Sequence, residues 1–202
     1  MKNLKVKLIL LGNTSVGKTS LFFRYTTEKF PENYKSTIGI DSQKKGIEYK
    51  GYKVDIHIFD SAGQERYKSV TKMYLRNVNG FFLVFDLTNK ESLKDLSYWI
   101  EEIKSLDDIN NNMIIIGNKK DLNDLRAVTD EDIAQFEKDI GHQVIQTSAK
   151  TGEGIKEAFD AMIEQIFRNK NEEELYMEFI PNYKYNKLTK KKTNQNSNAH
   201  CC

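Results

Sequence analysis

Apolar residues in this 202-residue chain follow two rhythms. Short segments dense in them, KVKLILL at 5–11, GFFLVFD at 80–86 and MIIIGN at 113–118, predict strands buried on both faces. Val144–Thr147 predicts one more, shorter strand. Between these lie stretches with helical spacing: about 17–27; 91–106 with Leu93, Leu96, Ile100 and Ile103; the region of Ile133, Phe136 and Ile140; and 155–167 with Ala158, Phe159, Met162, Ile163 and Ile166. Residues 43–58 alternate on either side of Gly51, as two antiparallel strands joined by a tight turn do. Residues 28–41, with Pro31 and Gly39, read as an ordered loop. Strands alternating with helices predict an α/β fold, a mostly parallel sheet covered on both faces. Ligands in such sheets bind beyond the carboxyl ends of the strands.

Composition changes this picture only near the end. Residues 184–202 carry five lysines and no acid, against a net charge of +2 for the chain, so residues 1–183 carry −3. A mildly acidic body argues against nucleic acid as the main partner. The domain is expected to span 1–170, and 171–202, charged and then rich in Asn and Lys, is expected to be a disordered tail. The two cysteines are Cys201 and Cys202, so the body is expected to fold without disulfides, as suits a reducing compartment. No secretory signal is read at the start, Lys2 excludes myristoylation, and no apolar run is long enough to span a bilayer.

The chemistry starts at Gly12-Asn13-Thr14-Ser15-Val16-Gly17-Lys18-Thr19, a G-x-x-x-x-G-K-[ST] loop that follows a strand and opens a helix. Its glycines let backbone N–H groups close on an anion, and the helix N-terminus adds favourable partial charge. Lys18 is suited to the β- and γ-phosphates, and the Thr19 hydroxyl to Mg²⁺. Asp60 ends the strand DIHIFD ahead of Ser61-Ala62-Gly63-Gln64. An acid there is suited to hold magnesium through water, the Gly63 N–H to meet a γ-phosphate, and Gln64 to orient an attacking water. The Thr37 hydroxyl is suited to complete the metal shell. A lone D-x-x-G is usually a turn; downstream of a phosphate loop it reads as functional.

Asn118-Lys119-Lys120-Asp121 and Ser148-Ala149-Lys150 each follow a predicted strand. The Asp121 carboxylate is suited to accept from guanine N1–H and its exocyclic amine, donors that adenine lacks in that arrangement. The Ala149 N–H is suited to the guanine carbonyl oxygen, and the Lys119 stem to the base plane. Either motif alone reads equally well as a helix cap or a polar turn.

Together the five motifs GNTSVGKT, STIG, DSAGQE, NKKD and SAK, in order, resemble a Ras-superfamily small GTPase over about residues 5–170. STIGID at 36–41, QERY at 64–67 and the closing Cys-Cys are most similar to the Rab branch. The resemblance implies a P-loop NTPase (Ras-like) domain with a six-stranded, mostly parallel sheet and five helices. It implies a switch cycling between GTP and GDP with Mg²⁺, held by Thr19, Thr37 and Asp60, and with Lys18 and Gln64 as the catalytic pair. It assigns Thr14, Ser15, Val16, Ser20, Phe30, Tyr34, Thr37, Gly63, Asn118, Lys119, Asp121, Ser148, Ala149 and Lys150 to the nucleotide, with Gly12, Gly17, Lys18 and Thr19.

The same resemblance implies a monomer served by an exchange factor, a GTPase-activating protein, an escort or GDI-type chaperone, and effectors. It implies prenylation of Cys201 and Cys202 and work in vesicle-mediated transport at the cytoplasmic face of an intracellular membrane. Two lipids give stable anchoring where one gives marginal binding. Ser42 and Phe59 stand where Rabs usually carry phenylalanine and tryptophan, and Thr14 stands where small residues are usual. Three alternatives stay open: a P-loop phosphotransferase, a member that binds GTP with negligible hydrolysis, and a small GTPase of another branch acting in signalling.

Overall fold

The computed structural model describes residues 3–31, 40–61, 74–75, 77–105, 112–168 and 170–180. Six strands form one sheet: β1 (Asn3–Leu11), β2 (Ile40–Tyr49), β3 (Tyr52–Ser61), β4 (Gly80–Asp86), β5 (Met113–Asn118) and β6 (Val144–Gln146). Their order is β2-β3-β1-β4-β5-β6. Only β2 runs antiparallel, paired with β3 through the two-residue turn at Lys50-Gly51. The other neighbours are parallel. The helices are α1 (Lys18–Thr27), α2 (Lys90–Lys94), α3 (Leu96–Lys104), α4 (Asp130–Ile140), α5 (Ile155–Phe167) and α6 (Glu172–Phe179). Because α2 and α3 are consecutive, the described residues hold five helical units, and the expected α/β architecture is what forms.

Successive residues of a strand point to opposite faces, so a strand buried on both must be apolar throughout. In β4 all seven residues are buried. Phe82 and Val84 join one core with Leu8, Leu10, Phe22, Phe159 and Met162. Phe81, Leu83 and Phe85 join the other with Ile9, Leu11, Trp99, Ile100 and Ile115. Each such side chain contributes about 1.5–3 kcal/mol on burial. The apolar stripe of α5 meets α1, where the rings of Tyr25 and Phe159 stack with centroids 3.5 Å apart. That packing fixes α1, and hence the loop at its N-terminus, against the sheet.

Two expectations are corrected. The stretch 91–106, read as one helix, is two segments meeting at Asp95, whose carboxylate accepts from Asn13 Nδ2 at 2.5 Å. The boundary at 170 also moves, because Glu172–Phe179 is helical rather than part of a disordered tail. Asn171 caps α6: its side chain accepts from Glu174 N–H at 3.0 Å, and Glu174 accepts from Asn171 N–H at 2.8 Å. Leu175 and Phe179, four apart, bury against the first core, with the Phe179 ring 5.1 Å from that of Phe167. The remaining tail, with Cys201 and Cys202, lies outside the described residues.

Candidate functional site

Loop 12–17 leaves β1 and runs beneath the end of β4. Gly12 has φ +137°, and a Cβ there would lie 2.1 Å from the carbonyl oxygen of Val84, so only glycine fits. Gly17, φ +96°, is the N-cap of α1; a Cβ there would lie 2.3 Å from Asn118 Nδ2. Between them Ser15 takes φ +62°, left-handed backbone that non-glycine residues seldom adopt. Such strain collects where backbone must face a ligand. Thr14 and Ser15 are exposed and Val16 is buried beneath them.

Lys18, the first residue of α1, is only 5% exposed. Its Nζ curls back across the loop and donates to the carbonyls of Gly12 (2.8 Å) and Asn13 (2.7 Å). Burial pushes its pKa down to about 8, against an opposing pull from Asp60. A desolvated ammonium whose hydrogen-bond partners among the described residues are neutral carbonyls is poised for a stronger anionic one. Thr19 follows and donates from Oγ1 to Asp60 Oδ2 at 2.5 Å; Asp60, at the end of β3, is buried. Ser61 anchors that strand end by donating to the carbonyl of Leu10 at 2.7 Å.

Asn118, the last residue of β5, is buried and joins three segments. Its Nδ2 donates to the Val16 carbonyl at 2.9 Å. Its Oδ1 accepts from Ala149 N–H at 3.1 Å and from Thr147 Oγ1 at 3.3 Å. Lys119, at φ +67°, pairs with Asp86 at the end of β4, Nζ to Oδ2 2.6 Å. Asp121 accepts from Ser148 Oγ at 2.6 Å, and Ser148 also accepts from Thr151 N–H at 3.0 Å. At the rim, Lys120 and Glu153 pair at 2.5 Å. The two loops beyond β5 and β6 are thereby locked to each other and to the phosphate-type loop. They enclose a cavity of about 310 Å³ lined by Gly17, Ser20, Phe30, Asn118, Lys119, Asp121, Leu122, Ala149 and Lys150.

A family model described as the Ras family matches residues 7–168. The chain is 39% identical over 166 residues to human Ras-related protein Rab-3D, covering 82% of this chain and 76% of that one. Rat GTP-binding protein Rab-3D matches to the same extent. Ras-related protein RABD2a of Arabidopsis thaliana is 37% identical over 160 residues, 79% of each chain.

The chain belongs to the Ras family of small GTPases.

In this GTPase, the residues expected at the nucleotide divide into two sets. Gly12, Gly17, Lys18, Thr19 and Asp60 meet at one end of the site. Ser20, Phe30, Asn118, Lys119, Asp121, Ala149 and Lys150 meet around the cavity at the other, with Ser148 braced behind Asp121. Tyr34, Thr37, Gly63 and Gln64 lie outside the described residues. One detail departs from expectation. The Ala149 N–H, read as a donor to the base, here donates to Asn118 Oδ1.

Two residues at the site were not foreseen. Asp86 orients Lys119, and Arg24 of α1 donates from Nε to the Ala149 carbonyl at 2.9 Å. Both act through partners more than thirty positions away in the chain. The only local sign of either is an acid closing a buried strand and a cation in the last turn of a helix.

Proposed function

We propose that this Rab-like GTPase is a guanine-nucleotide switch that binds GTP and GDP, hydrolyses GTP slowly by itself, and regulates vesicle-mediated transport. The observation that carries this is the convergence of three distant segments, 12–19, 118–121 and 148–150, on one cavity with a buried lysine at its phosphate end. In this reading the N–H groups of 14–20 and the Lys18 ammonium hold the phosphates. The Asp121 carboxylate, fixed by Ser148, accepts from the two guanine donors, while Phe30 and the stem of Lys119 flank the base.

Thr19 and Asp60 bring a hydroxyl and a carboxylate within 2.5 Å of each other, oxygen donors of the kind Mg²⁺ takes. With Thr37 they would hold the ion, which neutralises charge on the β- and γ-phosphates when bound. Gln64 orients a water for in-line attack on the γ-phosphorus; the P–O bond to the β-phosphate breaks, and GDP and phosphate leave. Loss of the γ-phosphate frees Thr37 and Gly63, so the conformation of those loops reports the nucleotide. Relaxation and reloading fall to a GTPase-activating protein and an exchange factor, and effectors read the GTP form. Prenylated Cys201 and Cys202 hold the protein at the cytoplasmic face of an intracellular membrane, and an escort or GDI-type chaperone cycles it through the cytosol. Among the described residues no helix is long and apolar enough to cross a membrane.

Gln64→Leu tests the hydrolytic part. It removes both the donor and the acceptor that hold the water, and single-turnover hydrolysis is expected to slow by about 10- to 100-fold. GTP affinity should stay within about twofold, because the nucleotide loses no contact in the ground state. An unaltered rate would remove Gln64 from the mechanism.

A further inference from the structure

Arg24 sits in the last turn of α1, six residues beyond Lys18. Its guanidinium spends its donors on three backbone carbonyls. Nε donates to Ala149 O at 2.9 Å, Nη2 to Lys150 O at 2.5 Å and Nη1 to Glu28 O at 2.7 Å. The first two carbonyls belong to the loop that forms one wall of the base cavity. The third belongs to the residue that ends α1, two positions before Phe30, which also lines that cavity. Glu28 itself turns in left-handed backbone, φ +62°, and returns its N–H to the Arg24 carbonyl at 3.0 Å.

A cation near a helix C-terminus has an ordinary explanation, since it offsets the helix dipole. That role needs one carbonyl at most, on its own helix. Here two of the three acceptors lie on a loop about 125 residues further along the chain. The planar, five-donor fork is suited to hold both segments at once in a fixed geometry. We propose that Arg24 is a positioning residue for nucleotide retention, which staples the 149–150 loop to the segment leading into Phe30 so that these two parts of the cavity lining move together. This deepens the guanine-nucleotide reading and rests on it. It also supplies a route for regulated release: a partner that displaces residues 28–30 withdraws an acceptor from Arg24 and loosens the 149–150 loop without touching it.

The test uses the full chain loaded with fluorescent GDP in magnesium, chased with excess unlabelled GDP. Release from Arg24→Ala is expected to be about 10- to 100-fold faster than from wild type, the range for losing charge-assisted hydrogen bonds to carbonyls. Arg24→Lys, which keeps the charge but has no fork, should fall between the two, and it serves if the alanine variant does not fold. Phe30→Leu should also speed release. Combined with Arg24→Ala it should add little, because both changes break the same coupling. The preference for GDP over inosine diphosphate, which lacks the exocyclic amine, should narrow in Arg24→Ala. Wild-type release rates in Arg24→Ala and Arg24→Lys would overturn the proposal. So would effects of Arg24→Ala and Phe30→Leu that multiply, or faster release with an undiminished preference for GDP. Failure of the guanine reading has a separate signature, since wild-type protein would then retain no GDP to chase.

Discussion

Replacing Asp121 with asparagine is expected to reverse the base preference, weakening GTP binding by about 10³- to 10⁴-fold and strengthening that of xanthosine triphosphate. The carboxylate lines the cavity and is fixed in place by Ser148 Oγ at 2.6 Å. Guanine presents two donors side by side, and a carboxylate presents two acceptors to match. An asparagine keeps one acceptor and turns the other position into a donor, so a donor faces the exocyclic amine in a site with little water. An unmatched buried polar group costs about 1–3 kcal/mol, and here one arises on each partner. Xanthine carries a carbonyl where guanine carries the amine, which restores the pairing. Competition of each triphosphate against fluorescent GDP measures the switch. Unchanged GTP affinity in Asp121→Asn would count against the assignment of the base cavity.

Lys18→Met should lower affinity for GTP and GDP by at least about 10³-fold, and should also change how stability depends on pH. Lys18 is buried, with a pKa of about 8 in place of 10.5, chiefly from burial. That difference corresponds to roughly 3 kcal/mol charged against the nucleotide-free fold at neutral pH. The direction follows from the protons bound. Between pH 8 and 10.5 the unfolded chain keeps a proton on Lys18 that the folded chain has lost, so stability rises with pH through that window. Below pH 8 the penalty is full and constant. In urea unfolding of nucleotide-free protein, wild type should therefore gain on Lys18→Met by about 2–3 kcal/mol from pH 8 to 10. Other titrating groups are common to both proteins and cancel in the difference. A bound polyphosphate holds the proton on the lysine, so the slope should vanish with GDP present. A pH-independent difference in nucleotide-free protein would mean that Lys18 is not held desolvated.

Much of this fold was legible because the strands announce themselves. GFFLVFD and MIIIGN coincide with β4 and β5, since a strand buried on both faces is a continuous apolar run that stops at a polar residue, here Asp86 and Asn118. The span of α5 was equally clear from its apolar stripe. Helix α6 was missed because four of the eight residues in its run EEELYMEF are glutamates, a composition that resembles a solvated tail. Its two signals were local and quiet: the Asn171–Glu174 capping box and the four-residue spacing of Leu175 and Phe179.

At the site, motifs gave residue types but not what holds them. The loop pattern suits Lys18 to phosphates; that it meanwhile leans on the Gly12 and Asn13 carbonyls is not in that pattern. Asn118 was foreseen only as part of a base-reading set. In the structure it bonds the Val16 carbonyl and the 147–149 loop at once, so it braces the site as a whole. Such braces join positions about 30 to 125 residues apart, and no local spacing encodes them. Departures such as Thr14 are different: the residue is plainly visible in the sequence and is exposed at the loop.

The account stands most directly on which purine the cavity retains. Purified protein, stripped of nucleotide and titrated calorimetrically in magnesium, should bind GDP and GTP with dissociation constants below about 1 μM, and ATP at least about 10³-fold more weakly. Equal affinity for ATP, or no guanine nucleotide held at micromolar concentration, would contradict it.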